Sequence, residues 1–390
     1  MAAEALGQRR AVRPPPWRDI RVLRVVIQVA FLVVVVATVW YLYNNLRSNT
    51  RLGFDWLQQP AGFSIRDAPG YSPGQRVLAA IRVGFFNTAQ VAFLGIALAT
   101  VLGIIIGIAR LSTNWLVRRA AALYVEALRN IPVLLIIVLI YGAVMLQLPG
   151  VANAGEFLES FIFSNRGVSV PWYQSQEGAT SYVAVIGLGV LVAAALWVWR
   201  TRRFDRTGEP HHRVLWALGT VAGFILAGYF VLGAPIALSL PELEGRRVTG
   251  GTSLGTEYAA LLIGLVLYTA SHIAEIVRGS IQAVPHGQTE AANAIALTGF
   301  QRLRYVVLPQ AFRIMIPPLA NQYLNLTKNS SLAVAIGYPE LTRIIGTVIG
   351  NGNPAPPSIA ILMGCYLIFS IGISIITNIV NRALSLEPRT

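Results

Sequence analysis

The sequence predicts an all-α polytopic membrane protein with about eight transmembrane helices. Three observations carry that class. Of 390 residues 55% are hydrophobic and only 12% charged, where a soluble domain carries about 25% charged residues. Mean hydropathy is +0.59. Apolar stretches recur at about 20 residues, the length that crosses the hydrocarbon of a bilayer. The same composition excludes a disordered chain and a disulfide scaffold, since the single cysteine, Cys365, lies inside an apolar run.

The elements follow in order. Residues 1–24 form a basic N-terminus ahead of a first span at Val25–Tyr43. The string YLYNNLRSNT that ends this span holds no A-x-A cleavage site, so an uncleaved span is expected in place of a secretory signal. A connector with Pro60 and Gly62 completes the region 25–83. Spans at Phe85–Ala109 and Ala120–Leu146 fill residues 84–146. Residues 147–257 hold a loop and two further spans, Tyr182–Trp199 and Val214–Leu232. Residues 258–380 carry spans at Tyr258–Val277, Ile314–Ile336 and Ile359–Val380, with a polar loop at 281–313, and residues 381–390 form the C-terminal tail.

Charge sets the orientation. Thirty of the thirty-one cationic residues are arginine, and Lys328 is the only lysine. Twenty of them fall on the side of the N-terminus and nine on the other, so the positive-inside rule places both termini, and the loop 281–313, in the cytoplasm. The arginines flank apolar runs instead of forming one polar patch, which argues against a nucleic-acid partner. A Walker A loop needs a lysine after glycine, and Thr327-Lys328-Asn329 has no glycine before it. The four histidines show no H-E-x-x-H pattern, and one cysteine precludes a thiolate zinc framework. No metal site, nucleophile elbow or dinucleotide fingerprint is expected, and the chain is not catalytic alone.

Gly95, Ala99, Gly103 and Gly107 recur every fourth residue in the second span, a face of small side chains that lets another helix approach closely. Ionisable residues within spans are costly and so mark function or internal pairing. Glu126 and Arg129, three residues apart, read as a structural pair. Tyr268, His272 and Glu275 share one face of the sixth span, and lining of a polar pathway stands beside internal pairing. Asn321, Asn325 and Asn329 recur at four-residue spacing with Lys328, Ser330 and Ser331 beside them. That stripe suits a water-filled route or a subunit interface, against hydrogen bonding between neighbouring helices of the chain. Prolines 309, 317 and 318 and Gly337 predict a bent or interrupted helix here.

The densest signal is IQAVPHGQTEAANAIALTGFQRLRYVVLPQAFR, residues 281–313. It predicts a turn at Pro285–Gly287, a short helix from Thr289 to Leu297, a break at Gly299 and a second short helix ending at Pro309. This resembles the EAA loop of ABC importer permeases: E-A-A, three residues, G, nine residues, I, one residue, L-P. Glu290, Ala291, Ala292, Leu308 and Pro309 match, with Val306 for the isoleucine. Ala296 stands where the family has glycine, so Gly299 is the expected turn-maker. YVEALRNIP at 124–132, EIVRGSIQAVPHGQ at 275–288 and KNSSLAVAIGYPEL at 328–341 resemble the polar amino acid permeases of that superfamily.

The resemblance implies a type I ABC importer permease core of five spans, with cytoplasmic coupling helices and with 147–257 as an insertion, most like a general L-amino acid system permease. It further implies two copies of a partner ATPase carrying ATP and magnesium, a second permease subunit, a periplasmic amino acid binding protein and a bacterial inner membrane. No cofactor is expected on this chain. Glu290, Ala291, Ala292, Ala296, Gly299, Leu308 and Pro309 would couple to the ATPase. His272, Glu275, Asn321, Asn325, Lys328 and Asn329 would line the substrate pathway. An ion-gradient-driven amino acid transporter, with Glu275 and His272 as proton relay, is the alternative, and it leaves the amphipathic loop unexplained.

Overall fold

A computed structural model describes residues 20–49, 53–158, 160–176, 178–207, 212–233 and 236–384. The tails 1–19 and 385–390, on which much of the expected cytoplasmic termini falls, lie outside the described residues. Among the described residues six helices are long and apolar enough to cross a membrane, or up to eight if two bent pairs each count as one span. The helices that can cross singly are α1 (Ile20–Asn49), α2 (Val77–Ala109), α5 (Ala179–Thr207), α6 (Arg213–Val231), α7 (Thr256–Gln282) and α12 (Ala355–Leu384).

The third expected span is broken. Here α3 (Trp115–Asn130) meets α4 (Val133–Leu139), continued to Gln147, at 103°. Pro132 sits at the corner, where it has no donor to continue the ladder and pushes Ile131 to extended backbone (φ −99°, ψ 131°). The expected interruption of the seventh span falls elsewhere than at its prolines. α10 (Leu308–Asn329) runs through Pro317 and Pro318, tightens into a 3₁₀ stretch at Ser330–Ile336, and stops at Gly337 with φ +83°. The chain then turns by 49° into α11 (Leu341–Gly350). A glycine closes the stretch because left-handed backbone costs a residue with a Cβ about 1–2 kcal/mol.

α7 is the central helix, packed against α2, α3, α4 and α10. Leu261, Leu265, Ala270 and Ile273 on it are fully buried, with Val91 and Ala99 from α2, Ile137 from α4 and Leu326 from α10. A second apolar cluster joins the start of α2 to α11 through Val77, Ala80, Ile81, Leu341, Ile345 and Trp56 of the connector. Glu340 is wholly buried there, yet its carboxylate caps α11 by accepting the Thr342 and Arg343 N–H groups at 2.8 Å and a hydrogen bond from the Tyr366 hydroxyl at 3.1 Å. A buried carboxylate is tolerable when its acceptors are filled in this way.

The segment 147–257 is less purely helical than expected. Strands β1 (Gly155–Phe157), β2 (Phe161–Ser164), β3 (Gly167–Val170) and β8 (Thr252–Gly255) form an antiparallel sheet in the order β1-β2-β3-β8. β4 (Trp172–Ser175) pairs with β5 (Ile236–Ser239), and β6 (Glu242–Glu244) with β7 (Arg247–Thr249). The β4–β5 ladder brackets the α5–α6 hairpin, whose helices pack on each other where Gly189 meets Phe224 and Gly228 meets Val185 and Tyr182. The outer faces of α5, α6 and α1 are apolar and exposed, as lipid-facing helices are.

Candidate functional site

The loop after α7 folds as a helical hairpin. α8 (His286–Ala294) ends with Ala296 at φ +58°. The Ala296 N–H donates to the Asn293 carbonyl (2.9 Å) and the Leu297 N–H to the Ala292 carbonyl (3.1 Å). This pair of bonds is the Schellman end of a helix, and its left-handed position is normally glycine. Ala296 thus makes the turn, and the expectation that Gly299 makes it is corrected: Gly299 opens α9 (Gly299–Arg302) with ordinary helical backbone. Thr298 caps α9 through a capping box with Gln301, and the Arg302 guanidinium ties the two helices by donating to Asn293 Oδ1 at 2.6 Å. A π-turn at Leu303–Val307 then leads into α10, with Leu308 half-buried and Pro309 exposed.

Ala292 is 3% exposed and anchors the hairpin, while Glu290 and Ala291 face solvent. His286 Nδ1 lies 3.1 Å from Glu290 Oε1, one turn away. Around them Ile295 (71%), Phe300 (69%) and Tyr305 (63%) are exposed. The loop therefore presents the Glu290 carboxylate together with exposed apolar side chains, on a support fixed by capping bonds.

The small-residue face of α2 meets α7 as predicted. Gly95, Ala99, Gly103 and Gly107 are all buried. A Cβ on Gly107 would stand 2.7 Å from Val277 Cβ and 2.8 Å from the Ala274 carbonyl oxygen. Where that contact ends, Arg110 crosses to α7 and pairs with Glu275, which Arg278 also holds. The carboxylate is engaged by two guanidiniums, only 26% exposed, close to the last turns of α7. The sequence showed Arg278 as the neighbour on the same face and missed Arg110. Its position directly after the apolar run of α2 was the available signal.

His272 is half-buried, with Nδ1 3.1 Å from the Tyr268 carbonyl oxygen and its ring 4.6 Å from the Tyr268 ring. Glu126 and Arg129 are exposed on α3, and no ion pair joins them among the described residues, so the expected structural pair is not formed. Their three-residue spacing permits a pair, but long exposed side chains lose rotamer freedom on pairing. Asn321, Asn325 and Lys328 are exposed on one face of α10, with Asn329 half-buried at its end. The opposite face, with Met315, Leu319 and Leu326, is buried in the core. Among the described residues no side-chain hydrogen bond joins Asn321, Asn325, Lys328 or Asn329 to the α7 groups, whereas Ser330 beside them bonds to Tyr366 of α12. Among the described residues no cluster of His, Cys, Asp or Glu could hold a metal ion.

Comparison with known proteins agrees with this architecture. The family model described as binding-protein-dependent transport system inner membrane component matches residues 185–386, from within α5 to the end of α12. The general L-amino acid transport system permease protein AapQ of Rhizobium johnstonii is 38% identical over 387 residues, 98% of this chain and 96% of that protein. The putative amino-acid ABC transporter permease protein YhdX of Escherichia coli is 38% identical over 369 residues, 93% of this chain and 94% of its own length. The shorter glutamate/aspartate import permease protein GltJ of Escherichia coli is 33% identical over 227 residues, 92% of its length but 55% of this chain. A family match over more than half of the sequence, and relatives aligned nearly end to end, place this chain among the binding-protein-dependent transport system inner membrane components, the permease subunits of ABC importers.

Proposed function

We propose that this chain is one half of the route through which an ATP-driven importer moves L-amino acids across a bacterial inner membrane. The observation that carries the reading is the hairpin of α8 and α9, an exposed surface of Ile295, Phe300 and Tyr305 around Glu290, braced by Ala292 and the Schellman turn at Ala296. Such a surface suits a groove on a partner ATPase, which would bind ATP and magnesium in two copies. Closure of the nucleotide dimer would push the hairpin, and the continuous path from α9 through the π-turn into α10 would carry the movement to the spans. Glu290, Ala291, Ala292, Ala296, Gly299, Leu308 and Pro309 are the residues of this coupling element.

The substrate class is that named for the end-to-end relatives, and the exposed stripe of Asn321, Asn325 and Lys328 supports a polar route completed by a second permease subunit. A periplasmic binding protein would deliver the amino acid from the side opposite the hairpin, with both termini cytoplasmic. The shorter length of GltJ supports 147–257 as an added segment on a common core. The ion-gradient alternative is not favoured: Glu275, its proposed relay, is ion-paired to both Arg110 and Arg278, and that reading leaves the coupling hairpin without a role.

Purification of the tagged chain from its native membrane in mild detergent tests the reading. Recovery of a nucleotide-binding subunit together with a second permease is the expected result. Recovery of the chain alone, with ion-driven uptake after reconstitution, would overturn it.

A further inference from the structure

A cavity of about 730 Å³ opens at the end of the molecule opposite the hairpin. It lies where the connector before α2, strand β8, the first turn of α7 and the Gly337 bend converge, and its polar walls include Arg66, Asp67, Asn87, Gln90, Glu257 and Tyr258. The volume falls within the range of small-molecule sites. Two of the walls come from the connector and from the end of the 147–257 segment, parts of the chain to which the coupling hairpin and the spans assign nothing.

The chemistry is that of a split charge. Arg66 Nη1 donates to Glu257 Oε1 at 2.9 Å across 191 residues of sequence, with the arginine side chain 70% exposed and the glutamate 15%. Such a rim pair is weak and exchanges partners at little cost. Asp67, held at φ +55°, has neither hydrogen bond nor ion pair among the described residues. Its carboxylate turns toward Gly255: a Cβ there would lie 2.8 Å from Asp67 Oδ2 and 3.7 Å from Glu257 Oε2. Two carboxylates thus converge on a spot kept open by a glycine, with one guanidinium beside them. Asn87 Nδ2 donates to the Pro339 carbonyl at 2.9 Å, which leaves its oxygen as an acceptor. Beneath them Tyr258 is 5% exposed and its hydroxyl has no partner among the described residues, a deficit that a ligand's oxygen would relieve.

We infer that this cavity is a receiving site for the α-ammonium and carboxylate groups of a zwitterionic amino acid, occupied between release from the delivery protein and passage between the spans. The carboxylates of Asp67 and Glu257 take the ammonium group, and Arg66, freed from Glu257, takes the carboxylate. The amino acid's own side chain points into the remaining space, so the site reads the backbone groups common to all amino acids. The inference rests on the amino acid reading above.

The test uses the complex purified from its native membrane and reconstituted, with an equimolar mixture of radiolabelled L-amino acids as probe. Asp67→Asn and Glu257→Gln keep shape and remove charge, and Gly255→Val fills the cradle at a position whose backbone accepts a side chain (φ −52°). Each is expected to weaken direct binding of the probe to the complex, without delivery protein, by about ten-fold, the scale of one lost charged hydrogen bond. The KM of uptake should rise while basal ATP hydrolysis stays unchanged. Deaminated carboxylic acids should fail to compete with the probe. Unaltered probe binding in Asp67→Asn and Gly255→Val would overturn the inference. So would variants that weaken only capture of the loaded delivery protein, since the cavity would then be a protein-docking surface. If the unsubstituted complex transports none of the probe, the amino acid reading itself fails, and that result is distinct from any behaviour of the variants.

Discussion

Gly103 on α2 and Ile273 on α7 meet so closely that a Cβ on the glycine would lie 2.6 Å from the isoleucine Cβ. The Ala270 carbonyl oxygen is 3.0 Å from the same point, so backbone as well as side chain would have to move. Gly103→Val is therefore expected to force the two helices apart and to cost about 1–3 kcal/mol, the usual penalty of overpacking. Gly364→Ala on α12 has nothing within 4 Å of the added methyl and should cost nothing, gaining about 0.5–1 kcal/mol from alanine's smaller loss of freedom in a helix. Thermal unfolding of the two variants in detergent measures the difference. Equal melting temperatures would show that the α2–α7 contact is looser than its geometry.

The coupling hairpin carries a strained residue. Ala296 holds the left-handed position of a Schellman turn at φ +58°, which costs a residue with a Cβ about 1–2 kcal/mol relative to glycine. Ala296→Gly should recover part of this, offset by the greater freedom of glycine in the unfolded chain, for a net gain of about 0.5–1 kcal/mol. Ala296→Val should lose at least as much, since a β-branched residue tolerates that backbone worst. Slower amide exchange across residues 286–302 in Ala296→Gly, and faster exchange in Ala296→Val, are the expected readings. Because the turn sets the angle between α8 and α9, Ala296→Val should also lower ATP-coupled uptake more than it lowers membrane insertion.

These two positions show what was legible in the sequence. The periodicity of Gly95, Ala99, Gly103 and Gly107 identified a packing face because helical spacing maps directly onto a surface. Motif spacing likewise placed Ala296 where the family has glycine. Propensity then moved the turn to Gly299, although hydrogen-bond geometry keeps it at the motif position whatever residue stands there. The corner at Pro132 went unread because hydropathy runs unbroken across Ala120–Leu146, and the full continuity of α10 through Pro317 and Pro318 was missed too, since tertiary packing overrides local preference. The short strands were missed because three or four residues carry too little alternation. Only the two-residue turn Gly245-Arg246, with Gly245 at φ +63° between β6 and β7, left a hairpin signal. The cavity residues were invisible because four separated stretches form the site, although Asn87 and Gln90, polar and three apart within an apolar span, pointed to it.

Glu275 links three helical positions through Arg110 and Arg278. Glu275→Gln removes the charge that both guanidiniums share and leaves two like charges facing each other. The site is about a quarter exposed, so the loss is expected below the 3–5 kcal/mol of a fully buried pair, at about 1–3 kcal/mol. Arg110→Met alone should cost less than Glu275→Gln, because Arg278 still partners the glutamate. A double-mutant cycle read by denaturation in detergent measures the coupling. A change in uptake KM at unchanged stability would instead make Glu275 a substrate contact.

The stripe on α10 yields a prediction that separates its two readings. Asn321, Asn325 and Lys328 are exposed, while Leu326 and Thr327 between them are buried in the core. Single cysteines at these five positions, in a Cys365→Ser background, should therefore react with a membrane-impermeant thiol reagent in a helical pattern. If the stripe lines a water-filled route, Asn321→Cys, Asn325→Cys and Lys328→Cys react in the assembled complex, and added substrate slows them. Leu326→Cys and Thr327→Cys stay unreactive in both cases, because their environment is internal to this chain. Should the three exposed positions react in the isolated chain and become fully protected on assembly, the stripe is an interface with the second permease. The polar residues there would then serve subunit recognition, and the amino acid would pass along a different face.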